Sequence, residues 1–131
     1  RMKDDNEIIK KHCAEIKNLL SQSYWAKNRP IEVIEKSVEQ SLCFAIFDVE
    51  KDVMVAFARV ITDYATMYYL CDVIVDEKYR GNGLGKMLVD WIANKEDKLK
   101  GQYGVLLTSD AQGLYSQFGF SEYEKSCMCK F

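Results

Sequence analysis

Seven consecutive residues, Arg80-Gly81-Asn82-Gly83-Leu84-Gly85-Lys86, carry the densest chemical signal in this 131-residue chain. They follow an apolar, strand-like run over 70–75 and open a helix near Leu84. Glycines at alternate positions leave the backbone bare, so its N–H groups can approach a ligand that a Cβ would push away. The start of the next helix adds unpaired donors and the positive end of its dipole. A strand, a glycine-rich turn and a helix start together describe an anion site, most simply for phosphate. Arg80 and Lys86 add side-chain charge at its two ends.

Spacing discriminates among phosphate loops. A Walker loop needs Gly, four residues, then Gly-Lys-Ser/Thr; here Arg80 holds the first position and Met87 follows Lys86. A dinucleotide fingerprint needs a third Gly where Lys86 stands. The remaining pattern, Arg80-x-x-Gly83-x-Gly85, resembles the acyl-CoA pyrophosphate loop of the GNAT superfamily of N-acyltransferases. A second segment, Leu114-Tyr115-Ser116-Gln117-Phe118-Gly119-Phe120, resembles the Leu-Tyr-x-x-Phe-Gly-Phe run near the end of GNAT proteins. The two motifs stand in the family's order, one helix and one strand apart. The resemblance implies that Arg80, Gly81, Asn82, Gly83, Leu84, Gly85 and Lys86 cradle acetyl-CoA. It also implies that backbone groups of Val73, Ile74 and Val75 bond its pantetheine arm between two splayed strands. The Val73 N–H is the expected oxyanion donor, and Tyr115 stands where the family places a tyrosine beside the coenzyme sulfur. Where many members carry an Asn before the late helix, this chain reads Thr108-Ser109-Asp110.

Acyl transfer to an amine poses two proton problems. An alkyl amine, with a pKa of ~10.4 as in lysine, must lose a proton before it attacks, and the leaving thiolate benefits from a donor. Tyr115, with a reference pKa of ~10, is protonated at neutral pH and can serve as general acid. Asp72 is an acidic residue inside an apolar strand, which is costly unless it is paired or functional. Alternation sets it on the side of Leu70 and Ile74. It reads either as the base or ammonium anchor, or as a structural carboxylate bonded to backbone or to Arg59. Asp63 and Asp110 are further candidates for the acceptor site, with turn and helix cap as their plainer roles. Trp25 and Arg29, in the loop between the first two helices, either line an acceptor pocket or pack over the sheet. Cys71 has no histidine beside it, so direct transfer in a ternary complex is expected over an acylated thiol.

These residues need elements to hold them. Ile9, Cys13, Ile16 and Leu20 have helical spacing, as do Ile31, Ile34, Val38 and Leu42 after Pro30. Strand-like runs cover 42–48, 53–62 and 67–75, and their short connections imply an antiparallel meander. Leu84, Met87, Leu88, Trp91 and Ile92 form a core-facing helical stripe. A strand over 103–108 precedes a brief helix over 111–118, which Asp110 can cap and Gly119 can end. The tail over 120–131 has room for one or two strands, whereas little before Ile8 resembles the strand that usually opens the family fold. The expected fold is α/β and GNAT-like: one domain over 1–131, a mixed, mostly antiparallel twisted sheet with helices on both faces.

Composition sets the remaining bounds. A formal net charge of −2 and no basic run argue against nucleic acid as a partner. No apolar run approaches a membrane span and no leader is evident, so a cytoplasmic protein is expected. The five cysteines read as free thiols, and Cys127 with Cys129 lacks a second pair for zinc, so no metal is expected. The expected activity moves an acetyl group from acetyl-CoA, as co-substrate, to a primary amine on a small molecule. Its partners are acetyl-CoA and the amine acceptor, with a homodimer as a further option. An acetylase of protein lysines or N-termini, or a non-catalytic acyl-CoA-binding module that has no need of Tyr115, are the rival readings.

Overall fold

The computed structural model describes residues 2–3, 6–123 and 127–131. Strands β2 (Leu42–Asp48), β3 (Val53–Thr62) and β4 (Met67–Val75) form the expected antiparallel meander. Strand β5 (Tyr103–Leu106) joins β4 in parallel, making the sheet mixed. An opening strand is present after all: β1 (Met2–Lys3) pairs antiparallel with Ile46 and Ala45 of β2. At two residues it is too short to leave an alternating pattern in the sequence. The sheet order is β1-β2-β3-β4-β5.

Both faces of this sheet are apolar because both are covered. On one face lie α1 (Asn6–Ile9), α2 (Cys13–Leu20) and α3 (Ile31–Glu39), with a 3-10 turn at Lys10–His12 joining the first two. Their Ile9, Ile16, Leu20, Ile34 and Val38 pack with Cys43, Phe57 and Ile74 of the sheet. Pro30, extended at ψ 151, stands at the N-cap of α3 rather than inside its first turn. On the other face α4 (Leu84–Asp90) continues into a π-helical turn, Trp91–Lys95. Its Leu88 and Ile92 pack on Phe44, Ala58, Val60 and Leu70. The expected stripe is rotated slightly: Val89 is fully buried, whereas Met87 is 48% exposed and leaves the core.

The late helix α5 (Gln112–Ser116) is shorter than expected. Its cap also differs, because the Thr108 hydroxyl, not Asp110, accepts from the Ala111 N–H at 3.0 Å. Gly119 takes the left-handed conformation (φ 96) just beyond it. In the tail, 120–123 and 127–131 carry no strand, and 124–126 lie outside the described residues.

Two features shape β4. At its start the Tyr68 ring occupies the space beside its register partner Gly104, where a Cβ would meet ring atoms at 2.5 Å. Further along, Phe57 pairs with Ile74 and Arg59 with Cys71, so Asp72 and Val73 both lie opposite Ala58. This is a β-bulge, and Asp72 sits in it with φ 54, a conformation that aspartate tolerates better than most residues. The bulge overturns the simple alternation. Leu70, Val73 and Val75 join the α4 side, while Ile74 joins the α2–α3 side. Asp72 points to that second side as well. It is 6% exposed, and its Oδ2 accepts from Arg29 Nη1 at 2.6 Å and from Arg59 Nε at 2.9 Å. Its Oδ1 accepts from the Trp25 indole N–H at 3.1 Å. Burial alone would raise the Asp72 carboxyl, but the two guanidiniums overcome it and hold the group below the usual carboxylate range.

Asp72→Asn should therefore destabilise the fold by on the order of 3 kcal/mol at neutral pH, because two buried guanidiniums lose their counter-charge. A carboxyl depressed in the folded state stabilises it above the unfolded pKa of ~3.9, and that contribution is lost as pH falls through the folded value. Denaturant unfolding of both proteins should show a gap that is constant from about pH 5 to 8 and closes below about pH 4. A gap of the same size at pH 3 would mean that the charge on Asp72 does not hold the bulge.

Candidate functional site: a cleft between two splayed strands

The cleft begins where β4 and β5 part. Their parallel pairing covers Met67 to Leu70 against Tyr103 to Leu106 and goes no further. Among the described residues, the β5-facing edge of β4 has no strand beside it beyond Leu70, which leaves room for a ligand to bond its backbone. Val73, Ile74 and Val75 lie on that stretch.

After Val75 the chain turns through a short 3-10 segment, Glu77–Tyr79, capped by the Asp76 carboxylate accepting from Lys78 N–H. The loop 80–86 follows. Gly81 and Gly83 have φ of 86 and 77, and a Cβ built on either would meet no atom within 4 Å. Their bareness therefore serves backbone conformation and open space, not packing. Arg80 Nε donates to the Val75 carbonyl at 3.2 Å and Asn82 Nδ2 to the Tyr79 carbonyl at 2.9 Å, which holds the loop against the strand end. Val75, Arg80, Gly81, Gly83, Leu84, Gly85, Lys86 and Leu114 line a cleft of about 320 Å³. The two sequence motifs thus meet in space, since Leu114 belongs to α5. Tyr115, next along α5, is half-buried with its ring edge-on to Phe120 at 6.0 Å. Burial, then the charge of Asp110 and the nearby Tyr24, push its phenol above the usual value, so it keeps its proton.

A second opening lies on the α2–α3 side. It is a cleft of about 470 Å³ between α3 and β3, lined by Glu32, Val33, Lys36, Ser37, Gln40, Ser41, Arg59 and Ile61. Arg59 joins this cleft to Asp72, and Asp72 immediately precedes Val73. Trp25 and Arg29 come from the loop between α2 and α3, and both reach Asp72. That loop is pinned by Lys17 Nζ, which donates to the Arg29 carbonyl at 2.7 Å.

The sequence-based candidates separate accordingly. Trp25, Arg29 and Asp72 are brought together; Val75 and the glycine loop converge on the first cleft, whereas Tyr115 follows the lining residue Leu114 on α5, with Asp110 near its phenol. Asp63 is not brought there. It lies in the turn before β4, some 25–30 Å of strand from the glycine loop. Its carboxylate accepts from the hydroxyl and N–H of Thr66 and from the Ala65 N–H, which hold it well below the usual range. Two participants left no signal of their own. The Tyr24 hydroxyl meets the Ser109 hydroxyl at 2.5 Å, linking the α2–α3 loop to the β5–α5 loop across 85 residues of sequence. Leu114 lines the first cleft, although the functional reading of the motif singled out its neighbour Tyr115.

Known proteins share this arrangement. The family model described as an acetyltransferase (GNAT) domain matches residues 39–122. A crystal structure of a protein described as belonging to the GNAT family, from Xanthomonas campestris pv. campestris, is 38% identical. The match covers 100% of this chain and 92% of that one, with a TM-score of 0.88. Glucosamine-6-phosphate N-acetyltransferase from Arabidopsis thaliana is similar in fold at 21% identity, with coverage of 100% and 97% and a TM-score of 0.72. So is an aminoglycoside 6'-N-acetyltransferase complexed with coenzyme A, at 20% identity, coverage of 71% and 53%, and a TM-score of 0.59. No curated protein sequence matches the chain. With more than half of its length matched by the family model and a relative at 38% identity over all of it, this chain belongs to the GNAT acetyltransferase family.

Proposed function

We propose that the protein is an acetyl-CoA-dependent N-acetyltransferase acting on a primary amine of a small molecule, by direct transfer in a ternary complex. The observation that carries this reading is the convergence of the glycine loop, the unpaired edge of β4 and α5 on one cleft. Acetyl-CoA supplies the thioester that reacts. Backbone N–H groups of the loop, with the start of α4, suit its pyrophosphate, and Lys86 and Arg80 add charge there. The free edge of Val73 to Val75 suits the amides of the pantetheine arm. In this arrangement the Val73 N–H stabilises negative charge gathering on the thioester oxygen.

The amine nitrogen forms a bond to the acetyl carbon as the carbon–sulfur bond breaks. The nitrogen releases its protons to water, and Tyr115 passes its phenolic proton to the departing thiolate, then regains one from solvent. Amide and free thiol are the products. A phenol held protonated by burial fits that part. Cys71 is a poor competitor as a nucleophile, because burial pushes its thiol up to about 11. Asp72 is better suited to positioning than to proton abstraction. Both its oxygens already accept hydrogen bonds, and a depressed carboxyl is a weak base. It holds the bulge that presents Val73. The neighbouring 470 Å³ cleft has the size of a small-molecule site.

Two substitutions separate binding from chemistry. Gly83→Val should weaken acetyl-CoA binding at least ~100-fold in a folded protein, because a branched residue is strained at φ 77 and its Cβ fills the open cradle. Isothermal titration calorimetry showing wild-type affinity would refute the loop assignment. Tyr115→Phe should lower kcat by ~100-fold or more with acetyl-CoA affinity nearly intact, the pattern of a lost proton donor. Turnover at the wild-type rate would reduce Tyr115 to packing.

A further inference from the structure

Two guanidiniums, Arg29 and Arg59, face one carboxylate, Asp72, so this buried cluster carries one net positive charge. Exposed charges can be balanced by water and ions at little cost, but these side chains are only 22%, 13% and 3% exposed, respectively. An uncompensated charge at such a place is costly to keep. Arg59 is also incompletely used. Its Nε donates to Asp72 and its Nη1 to the Ser41 hydroxyl at 3.1 Å. Among the described residues its Nη2 has no partner. That atom is not sealed from solvent either, since no buried side-chain nitrogen or oxygen lacks a hydrogen bond. Arg59 lines the α3–β3 cleft together with Lys36, a second positive charge, and Glu32, one negative, so the lining keeps a net positive charge. The opposite edge of the same guanidinium holds Asp72, one residue from Val73.

We infer that the acceptor is an amine that also carries an anionic group, a carboxylate or a phosphate, and that this group docks on the unpartnered Nη2 of Arg59. The inference rests on the acetyltransferase reading and specifies its substrate class. Nη2 carries two N–H groups of an always-charged guanidinium and can donate a charge-assisted hydrogen bond to either anion. The anion neutralises the surplus charge of the cluster, and the amine, a few bonds away, is directed past Asp72 toward Val73. Two of the acidic candidates do not oppose such a group: Asp72 is outnumbered by its arginines and Asp63 is spent in a distant turn.

The test pairs each anionic amine with its neutral counterpart: β-alanine with β-alaninamide, and 2-aminoethyl phosphate with ethanolamine. The first readout needs no turnover. The Trp25 indole N–H signal, assigned by its loss in Trp25→Phe, reports on Asp72 in the wild-type protein through their hydrogen bond. It should shift saturably with the anionic members and not with the neutral ones. The carboxylate and phosphate arms tell which anion is preferred. Arg59→Gln should abolish the shift while the protein still unfolds cooperatively. Should that variant not fold, Lys36→Glu, a change on an exposed side chain, should weaken the anionic ligand about three- to tenfold. The second readout is thiol release from acetyl-CoA, where kcat/KM should favour the anionic member of a pair at least ~10-fold. Equal shifts within each pair, or no shift with any member, overturn the inference. Absence of acetyl-CoA binding in calorimetry would instead sink the acetyltransferase reading, and the indole signal would still decide the anion seat.

Discussion

The bulge in β4 is the constraint on which the rest of the site depends. One extra residue, Asp72 at φ 54, turns the strand just beyond Leu70, where its pairing with β5 stops and its edge becomes free. A left-handed residue in a strand costs of the order of 1–3 kcal/mol and persists only where its surroundings over-determine it. Three donors from three parts of the chain do that: Trp25 and Arg29 from the α2–α3 loop, and Arg59 from β3. The strain sits beside Val73, whose N–H is the proposed oxyanion donor, and the hydrogen bonds that offset it come from the side of the sheet opposite to α4.

This arrangement explains why the sheet must be covered on both faces. The α4 side carries the loop and α5, and its packing through Leu88 and Ile92 fixes where the glycine turn stands relative to the end of β4. The α2–α3 side carries the residues that hold the bulge, and Ile16, Leu20 and Ile34 fix the loop from which Trp25 and Arg29 reach in. Loss of packing on either face would displace one half of the site relative to the other. The Tyr24–Ser109 contact, at 2.5 Å, ties the two halves together above the gap.

Much of this was legible in the sequence, and the residues that escaped did so for definite reasons. β2, β3 and β4 were readable end to end because apolar runs and short polar connections mark antiparallel neighbours. The glycine loop was readable because its spacing excludes the other phosphate loops. The side to which Asp72 turns was not, since period-two reasoning assumes negative φ throughout, and one left-handed residue inverts every position after it. Its partners were half visible: Arg59 stands across β3, but Arg29 and Trp25 lie 43 and 47 residues away, where no local pattern reaches. That Thr108 rather than Asp110 accepts from the chain at the start of α5 is a shift of two residues, beyond what residue preference can resolve. The two-residue β1 fell below the length at which alternation can be recognised.

The electrostatics of the bulge also bear on why two arginines are present where one would pair the carboxylate. A single Arg59–Asp72 pair would be neutral and could close on itself, with both groups spent. Adding Arg29 at 2.6 Å on the same oxygen Oδ2 divides that acceptor between two donors, and each guanidinium keeps part of its fork unused. The carboxylate then serves as a hub that orients two cations, and its own basicity falls as a consequence. Such a hub is rigid, because moving either arginine leaves a buried charge behind. It also stays electron-poor overall, which is the condition for drawing an anionic group toward it. The two arginines that help hold the strained backbone therefore also leave the cluster with a surplus positive charge, which Arg59 presents to the cleft beside it.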